Sequence, residues 1–471
     1  MSSDTFQFKK VYCIGIKGAG MTAIAEMLQQ RGATVSGSDT AEHFYTDEIL
    51  NQRGIHCAEG FAVENLPLDA EVVIHSTVYT PENNVELKLA VDRGLKLFSY
   101  PEVLGMLFRE KLGVAVCGTH GKTTTTALLA TCLSAAGAEP SAIVGSRVLD
   151  WQGSALVGQG QHFVIEADEY QNKLRFYDPF AVVLTSVDWD HPDFFPTVEV
   201  YRQVFRDFVA RIPRHGFLVV WGDSTDTLDV AKSARCEVIS YGFHPDNDVV
   251  ISNFNLPVAS QSTSESSRSN FQTFQIAFKG EDLGQFKTQL IGQHNALNAA
   301  ASIAVCHKLK LDLDQVRRGM EKFGGTKRRF EFVGEKNGAI LIDDYAHHPE
   351  EIKATLKGAR EIYPGKKLTV IFHPHTFTRT KALLGEFAQS FDDADQVLIL
   401  DIYGSAREQQ GGVSSSELVD LVNRYNHGRA EYLVGITEAV EYLRDRIGPE
   451  DMVISMGAGN VWEVTKQLAA K

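Results

Sequence analysis

Short apolar runs, each closed by glycine or a polar cluster and followed by a stretch of helical period, recur along the whole chain. That alternation predicts βα units, and βα units in series predict parallel sheets. Lys10-Val-Tyr-Cys-Ile14 reads as the first strand, Gly15-Ile-Lys-Gly-Ala-Gly20 as its turn, and Met21-Thr-Ala-Ile-Ala-Glu-Met-Leu28 as the helix that follows. Ala33-Thr-Val-Ser-Gly37 and Glu71-Val-Val-Ile-His75 are further strands, then come a helix around 85–92, a strand at 95–98 and a helix near 101–109. Residues 1–110 thus form one small Rossmann-like domain.

A second unit is expected over 111–325. It opens with the strand Val114-Ala-Val-Cys117 and a helix from about Thr123, and continues with strands near 142–146, 161–166, 180–187, 218–223 and 236–241. This is a P-loop ATPase-like pattern. The polar run 260–270 separates two antiparallel strands at about 247–254 and 271–278, a small β insertion without evident chemistry. Strands at 338–344, 367–372, 396–401 and 451–457 make residues 326–471 a third, Rossmann-like α/β domain. A chain of 471 residues is long enough for three cores.

Composition narrows the class. The formal charge of −14 provides no basic field for nucleic acid. No apolar run of about 20 residues suits a membrane span, and the N-terminus carries no signal-peptide apolar region. Six cysteines, at 13, 57, 117, 132, 236 and 306, form no CxxC pair, so a reduced chain without a zinc site is expected. The expectation is a cytoplasmic monomer or homodimer that binds small anions.

The chemistry gathers at strand ends. Gly118-Thr-His-Gly-Lys-Thr123, between a strand and an Ala/Leu-rich helix, suits a phosphate chain. Amides from Thr119 to Thr123 would form an anion nest at a helix N-terminus. Lys122 can reach the β/γ-phosphates and the Thr123 hydroxyl can hold Mg²⁺. The spacing Gly118-Thr-His-Gly121-Lys122-Thr123 is tighter than the eight-residue P-loop. In the first domain, glycines 15, 18 and 20 with Ser38 and Asp39 about 20 residues on fit a nucleotide or diphosphate ligand, either NAD or a UDP-sugar. A purely structural tight turn is the alternative.

Glu166-Ala-Asp-Glu169 and Asp188-Trp-Asp-His-Pro-Asp193 end adjacent predicted strands. Their hard oxygens suit Mg²⁺, and His191 could complete a second ion's shell or, with Asp190, cap the helix starting near Pro196. Strand alternation puts Glu166 and Asp168 on one face and turns Glu169 away from it. Asn295 and Asn298, three apart on a helix, can meet adenine or anchor a loop. Gly324-Gly-Thr-Lys-Arg-Arg-Phe330 reads as a basic hinge, with Arg329 either on phosphate or in solvent. In the third domain Arg379 can clamp a carboxylate, and Asp344 can orient an amine or touch ATP. Joining a carboxylate to an amine, with ATP supplying activation through an acyl phosphate, uses all these parts.

The whole chain resembles the Mur ligase family of peptidoglycan precursor synthesis. The resemblance rests on Gly15-Ile-Lys-Gly-Ala-Gly-Met21, Ser36-Gly-Ser-Asp39, Gly118-Thr-His-Gly-Lys-Thr-Thr-Thr125, Glu166-Ala-Asp-Glu169 and Asp190-His191. It extends through Gly292-Gln-His-Asn295 with Asn298, Arg328-Arg-Phe-Glu331, Asp343-Asp-Tyr-Ala-His-His-Pro349, His373-Pro-His375 with Arg379, and Gly412-Val-Ser-Ser415.

The resemblance implies UDP-sugar-binding, ATP-binding and amino-acid-binding domains in that order. It is greatest to members that join L-alanine to the lactyl carboxylate of UDP-N-acetylmuramate, releasing ADP and phosphate. The ligase that reattaches a recycled L-Ala-γ-D-Glu-diaminopimelate tripeptide is the alternative. Gly15, Lys17, Gly18, Ala19, Gly20, Met21, Ser38, Asp39 and Ser76 would then meet the UDP-sugar. Gly118, Thr119, His120, Gly121, Lys122, Thr123 and Thr124, with Asn295, Asn298, Arg329 and Asp344, would meet ATP. Thr123 and Glu166 would hold the nucleotide Mg²⁺, His191 a second ion, and His348, His375 and Arg379 would surround L-alanine. Three departures stand out. Lys17 replaces a usual glycine, Tyr100 replaces an expected arginine, and no lysine follows His191 until Lys232 to assist the second metal.

Overall fold

Each third of the chain builds its own sheet in the computed structural model, which describes residues 6–151, 153–257, 271–404, 411–425 and 428–470. The polar run at 260–270 therefore lies outside the described residues. The first sheet has the spatial order His56–Glu59, Thr34–Asp39, Lys10–Ile14, Val72–His75, Lys96–Ser99, all parallel. Lys10–Ile14 is central and buried beyond its first residue, as a continuous apolar run in a two-sided sheet must be.

The second sheet has ten strands. Leu112–Cys117 lies between His162–Glu166 and Ala181–Leu184, both parallel to it. The chain crosses to opposite sides of this strand in successive connections, so its carboxyl end is a switch point of the kind where α/β sheets bind ligands. The helix Lys122–Ala135 leaves that end and packs on Gln293–Lys308 and Leu313–Lys322 through small side chains, including the buried Ala127, Ala130, Ala299 and Ala300.

The expected β insertion is instead an extension of this sheet. Val249–Asn255 pairs in parallel with Glu237–Gly242, and Gln272–Phe278 and Glu281–Thr288 continue it in antiparallel fashion. The third sheet runs Glu331–Lys336, Ala339–Asp344, Asp451–Met456, Lys367–Phe372, Gln396–Ile399, Ala430–Tyr432, parallel except for its first pair.

The domains are tied together. Glu26, fully buried on the first helix, accepts from the Ser154 amide at 2.8 Å and from Arg53 at 2.6 Å. The segment expected as a hinge is clamped: Gly324 N donates to Asp150 at 3.0 Å, Leu149 N donates to Gly325 O at 3.2 Å, and Lys327 N donates to Arg147 O at 2.9 Å. Glu48 of the first domain meets Arg147 of the second at 3.4 Å, Lys327 of the linker at 3.5 Å and Lys466 of the third at 3.2 Å. No helix among the described residues is long and apolar enough to cross a membrane.

Candidate active site

Two adjoining cavities open beyond the strand ends. One, of about 330 Å³, lies between the second and third domains and is lined by Gly121, Thr124, Trp221, Tyr241, His294, Asn295, Asn298, Arg329 and Asp344. The other, of about 360 Å³, is lined by all three domains: Gly18–Met21, Ser76 and Tyr100 from the first, Lys122, Thr123, Glu166, Asp168 and His191 from the second, Tyr345, His347 and Glu351 from the third. Gly121, Arg329 and Glu351 face both.

The phosphate loop forms because Cys117 ends a buried strand and two glycines adopt backbone closed to other residues. Gly121 has φ 78°, and a Cβ there would lie 2.6 Å from Asn298 Oδ1. The anion nest is shorter than the sequence predicts, since Ser186 accepts from the amides of Thr119 and His120, each at 3.0 Å. The amides of residues 121–124, in the first helical turn, are the ones left for a phosphate. Lys122 folds over the loop, donating to Thr119 O at 3.0 Å and pairing with Glu169 at 3.1 Å. Burial alone would lower its pKa, but Glu169, Asp168 and Glu166 outweigh burial and raise it.

Glu166 ends its strand with one oxygen accepting from Thr123 Oγ1 at 2.8 Å and the other from the Gly145 amide at 2.6 Å. The hydroxyl and carboxylate thus converge as hard oxygen donors suited to Mg²⁺. Glu169 corrects the alternation argument. The strand stops at Glu166, the pleat is lost, and Glu169 turns inward, buried. Asp168, Glu169 and His191 each bring a ligand atom within 4.8 Å of the others, a donor set that fits a second hard cation. Thr197, not the Asp190-His191 pair, caps the following helix, which removes the capping alternative for His191.

Asn298 serves as an anchor: it accepts from Thr125 Oγ1 at 3.1 Å and donates to Asn295 Oδ1 at 3.1 Å. Asn295 in turn donates to Ile291 O at 2.8 Å. Both amides line the first cavity. Asp344 lines it too, away from the metal group; burial pushes its pKa to about 6 against Arg329.

Several expected contacts are spent elsewhere. Lys17 points out of the cleft, donating to Thr40 O at 2.9 Å and Glu42 O at 2.8 Å. Asp39 accepts the Lys17 and Thr40 amides at 2.7 and 2.8 Å, and Ser38 is buried on Glu86. These three therefore build the loop and do not face the cavity. Gly15 sits beneath Tyr79, where a Cβ would lie 2.8 Å from the ring. Arg379 is not an open clamp: its Nε and Nη2 lie 2.8 and 3.2 Å from the two oxygens of buried Asp190. Burial opposes the Asp190 charge, yet Arg379 and His191 hold its pKa well below the usual range. His375 lies 3.2 Å from Arg379 Nη1 and stacks on Tyr403. His348 caps the helix Pro349–Ile362 and reaches Trp189 O at 3.4 Å, so His347 is the histidine that faces the cleft.

Glu351 escaped the sequence reading. It lies 3.2 Å from His120 Nδ1, 3.7 Å from Arg329 and 3.2 Å from His347 Nδ1, joining the phosphate loop to the third domain. Its signal was the four-residue spacing from His347 across a proline helix start. Burial and Arg379 hold His347 down to about 3, against the Glu351 charge, so its imidazole is neutral at pH 7. Its Nδ1 faces Tyr345 O at 2.9 Å, which places the proton there and leaves Nε2 as an acceptor.

Comparison with known proteins gives this architecture its class. Residues 10–112 match the Mur ligase family catalytic domain, 116–306 the Mur ligase middle domain, and 328–459 the Mur ligase glutamate ligase domain. The chain belongs to the Mur ligase family. It is 38% identical over 460 residues to the UDP-N-acetylmuramate–L-alanine ligase of Desulfitobacterium hafniense, covering 97% of this chain and 99% of that one. The ligase of the same name from Caldanaerobacter subterraneus is 37% identical, with 98% of each chain covered. Among solved structures, the UDP-N-acetylmuramate-alanine ligase of Thermotoga maritima has the same fold, with a TM-score of 0.79, 24% identity and 98% of each chain covered. A murein peptide ligase from Psychrobacter arcticus follows at a TM-score of 0.72 and 23% identity, again over 98% of each chain.

Proposed function

We propose that this chain is an ATP-dependent, ADP-forming ligase that joins L-alanine to the lactyl carboxylate of UDP-N-acetylmuramate, a cytoplasmic step of peptidoglycan precursor synthesis. The observation that carries the proposal is the second cavity, where the first domain's glycine turn, Lys122 and His347 face one space. Full-length relatives bearing the alanine-ligase name favour alanine over the tripeptide as acceptor.

In this reading adenine occupies the first cavity beside His294, Asn295 and Asn298, with Arg329 and Asp344 closing on the nucleotide. The phosphates lie on the amides of residues 121–124. The UDP-sugar approaches over Gly18–Met21 and Ser76, with Tyr100 packed beneath Gly20. Thr123 and Glu166 would hold a Mg²⁺, and Asp168, Glu169 and His191 a second ion, which would supply charge neutralisation for phosphoryl transfer. The lactyl oxygen attacks the γ-phosphorus, ADP leaves, and an acyl phosphate results. Lys122 stabilises charge as it develops on the moving phosphoryl group.

L-alanine enters on the His347 side, where Arg379 holds Asp190 and His191 in place. Its neutral amine attacks the acyl carbon and expels phosphate. Contact of all three domains around the cleft keeps water from the labile intermediate. Phosphate release measured with UDP-N-acetylmuramate against L-alanine, glycine, L-serine and the tripeptide tests the proposal. Release fastest with L-alanine is expected, and preference for the tripeptide would overturn it.

A further inference from the structure

One cation of the second cavity has no part in the reaction as described. Lys173 lies in the distorted 3₁₀ segment Tyr170–Phe176, where Gln171 (φ 57°, ψ 24°) and Asn172 (φ 53°, ψ 43°) adopt left-handed backbone that side chains other than glycine rarely take. Such strain is kept where the surroundings fix it, and it accompanies functional loops. Two contacts fix it here. Gln171 Oε1 accepts from Thr77 Oγ1 of the first domain at 2.7 Å, and the Lys173 ammonium lies 5.3 Å from the Tyr170 ring centre. The outcome is a lysine only 13% exposed, lining the cleft together with Ser76 and Thr77 and paired with Asp168.

The other cations lining that cavity are differently engaged. Lys122 serves the phosphate loop, Arg328 is buried on Asp343 at 3.0 Å, Arg329 faces Glu351, and Lys327 faces Glu48. Asp168, the partner of Lys173, belongs to the candidate metal group, so an ion there and Lys173 compete for the same carboxylate. A cation held there would free the Lys173 ammonium beside the wall formed by Ser76 and Thr77. A sugar-borne carboxylate is the anion that must come to rest between that wall and Lys122.

We infer that Lys173 recognises the lactyl carboxylate of the substrate, exchanging Asp168 for it when the site is loaded. This rests on the proposed ligase reading. It makes Lys173 the residue that separates a muramate sugar from the same UDP-sugar without a lactyl group.

Calorimetric titration of the full chain, with Mg²⁺ and a non-hydrolysable ATP analogue, tests it. Lys173→Met should weaken UDP-N-acetylmuramate binding roughly 10- to 100-fold, the value of one charge-assisted contact, and leave UDP-N-acetylglucosamine binding within about twofold. Lys173→Arg should restore most of the loss. Lys173→Gln, read in the same two titrations, serves if the methionine variant does not fold. An equal loss for both sugars would assign the lysine to the diphosphate and overturn the inference. So would no loss for either, which would leave a structural ion pair. Failure of the unaltered chain to bind the muramate sugar would instead remove the ligase reading, and this inference with it.

Discussion

The two glycine turns of this chain share a pattern and differ in where their side chains go. Both follow a buried parallel strand, both lead into a helix, and both carry one lysine. In the first turn Lys17 is drawn away from the cleft onto the carbonyls of residues 40 and 42, and Asp39 is consumed by the turn's own amides. What remains toward the cavity is Gly18, Ala19, Gly20 and Met21, a smooth surface over Tyr100. In the second turn Lys122, Thr123 and the acids behind them all face inward. The first turn therefore offers the cavity backbone and small side chains, and the second offers it charged groups. A strand-glycine-helix signature alone does not tell these roles apart; what decides is whether neighbouring loops supply partners that withdraw the charged residues.

The sharpest break of this contrast is to remove each lysine in turn. Lys122→Met should lower kcat by about 10²- to 10³-fold with folding intact, the size of one lost transition-state donor. Lys17→Met should leave kcat within about twofold and instead destabilise the protein by roughly 0.5–1.5 kcal/mol, because the carbonyls of Thr40 and Glu42 lose the buried ammonium that donates to both. Steady-state rates and urea midpoints separate the two. A kcat loss in Lys17→Met would show that the first turn also reacts.

Gly20→Ala probes the smooth surface. An added Cβ would lie 2.6 Å from the Tyr100 ring, forcing the ring toward the cavity. The KM for the UDP-sugar should rise about tenfold, the order expected for one overpacked contact, while the KM for ATP stays unchanged. Pairing Gly20→Ala with Tyr100→Ala should recover most of that loss.

Acid sensitivity sharpens the comparison from the third domain, where His347 is neutral by burial. Its pKa of about 3 lies below the 6.5 of an unfolded histidine, so the unfolded chain takes up a proton that the folded chain refuses. Stability from this residue is thus complete above pH 6.5 and is lost as pH falls toward 3. At pH 5.5 the cost is about 1.4 kcal/mol, and the drop in unfolding free energy from pH 7.5, read from urea titrations, should be smaller by that amount in His347→Gln. Equal drops would place the neutral histidine elsewhere.

Local chemistry was legible in the sequence. Lys122, Thr123 and Glu166 line one cavity, and each is readable because it stands at or beyond the end of an apolar strand. Contacts between distant segments were not. The Arg379–Asp190 pair joins residues 189 apart, and nothing in either segment signals that one fills the other. His347 and His348 differ by one position, and which faces the cleft depends on the helix starting at Pro349, with His348 spent as its cap. Glu169 was misplaced because the alternation rule holds only while the strand lasts. The strand His56–Glu59 was missed because its four residues lack an apolar run, and it forms by pairing with Thr34–Asp39.

The central claim is that a carboxylate oxygen passes to phosphorus before the amide forms. UDP-N-acetylmuramate labelled with ¹⁸O in its lactyl carboxylate, turned over with ATP and L-alanine, tests this in the mass spectrum of the released phosphate. The account predicts one labelled oxygen in each phosphate. Unlabelled phosphate accompanying amide formation would contradict it.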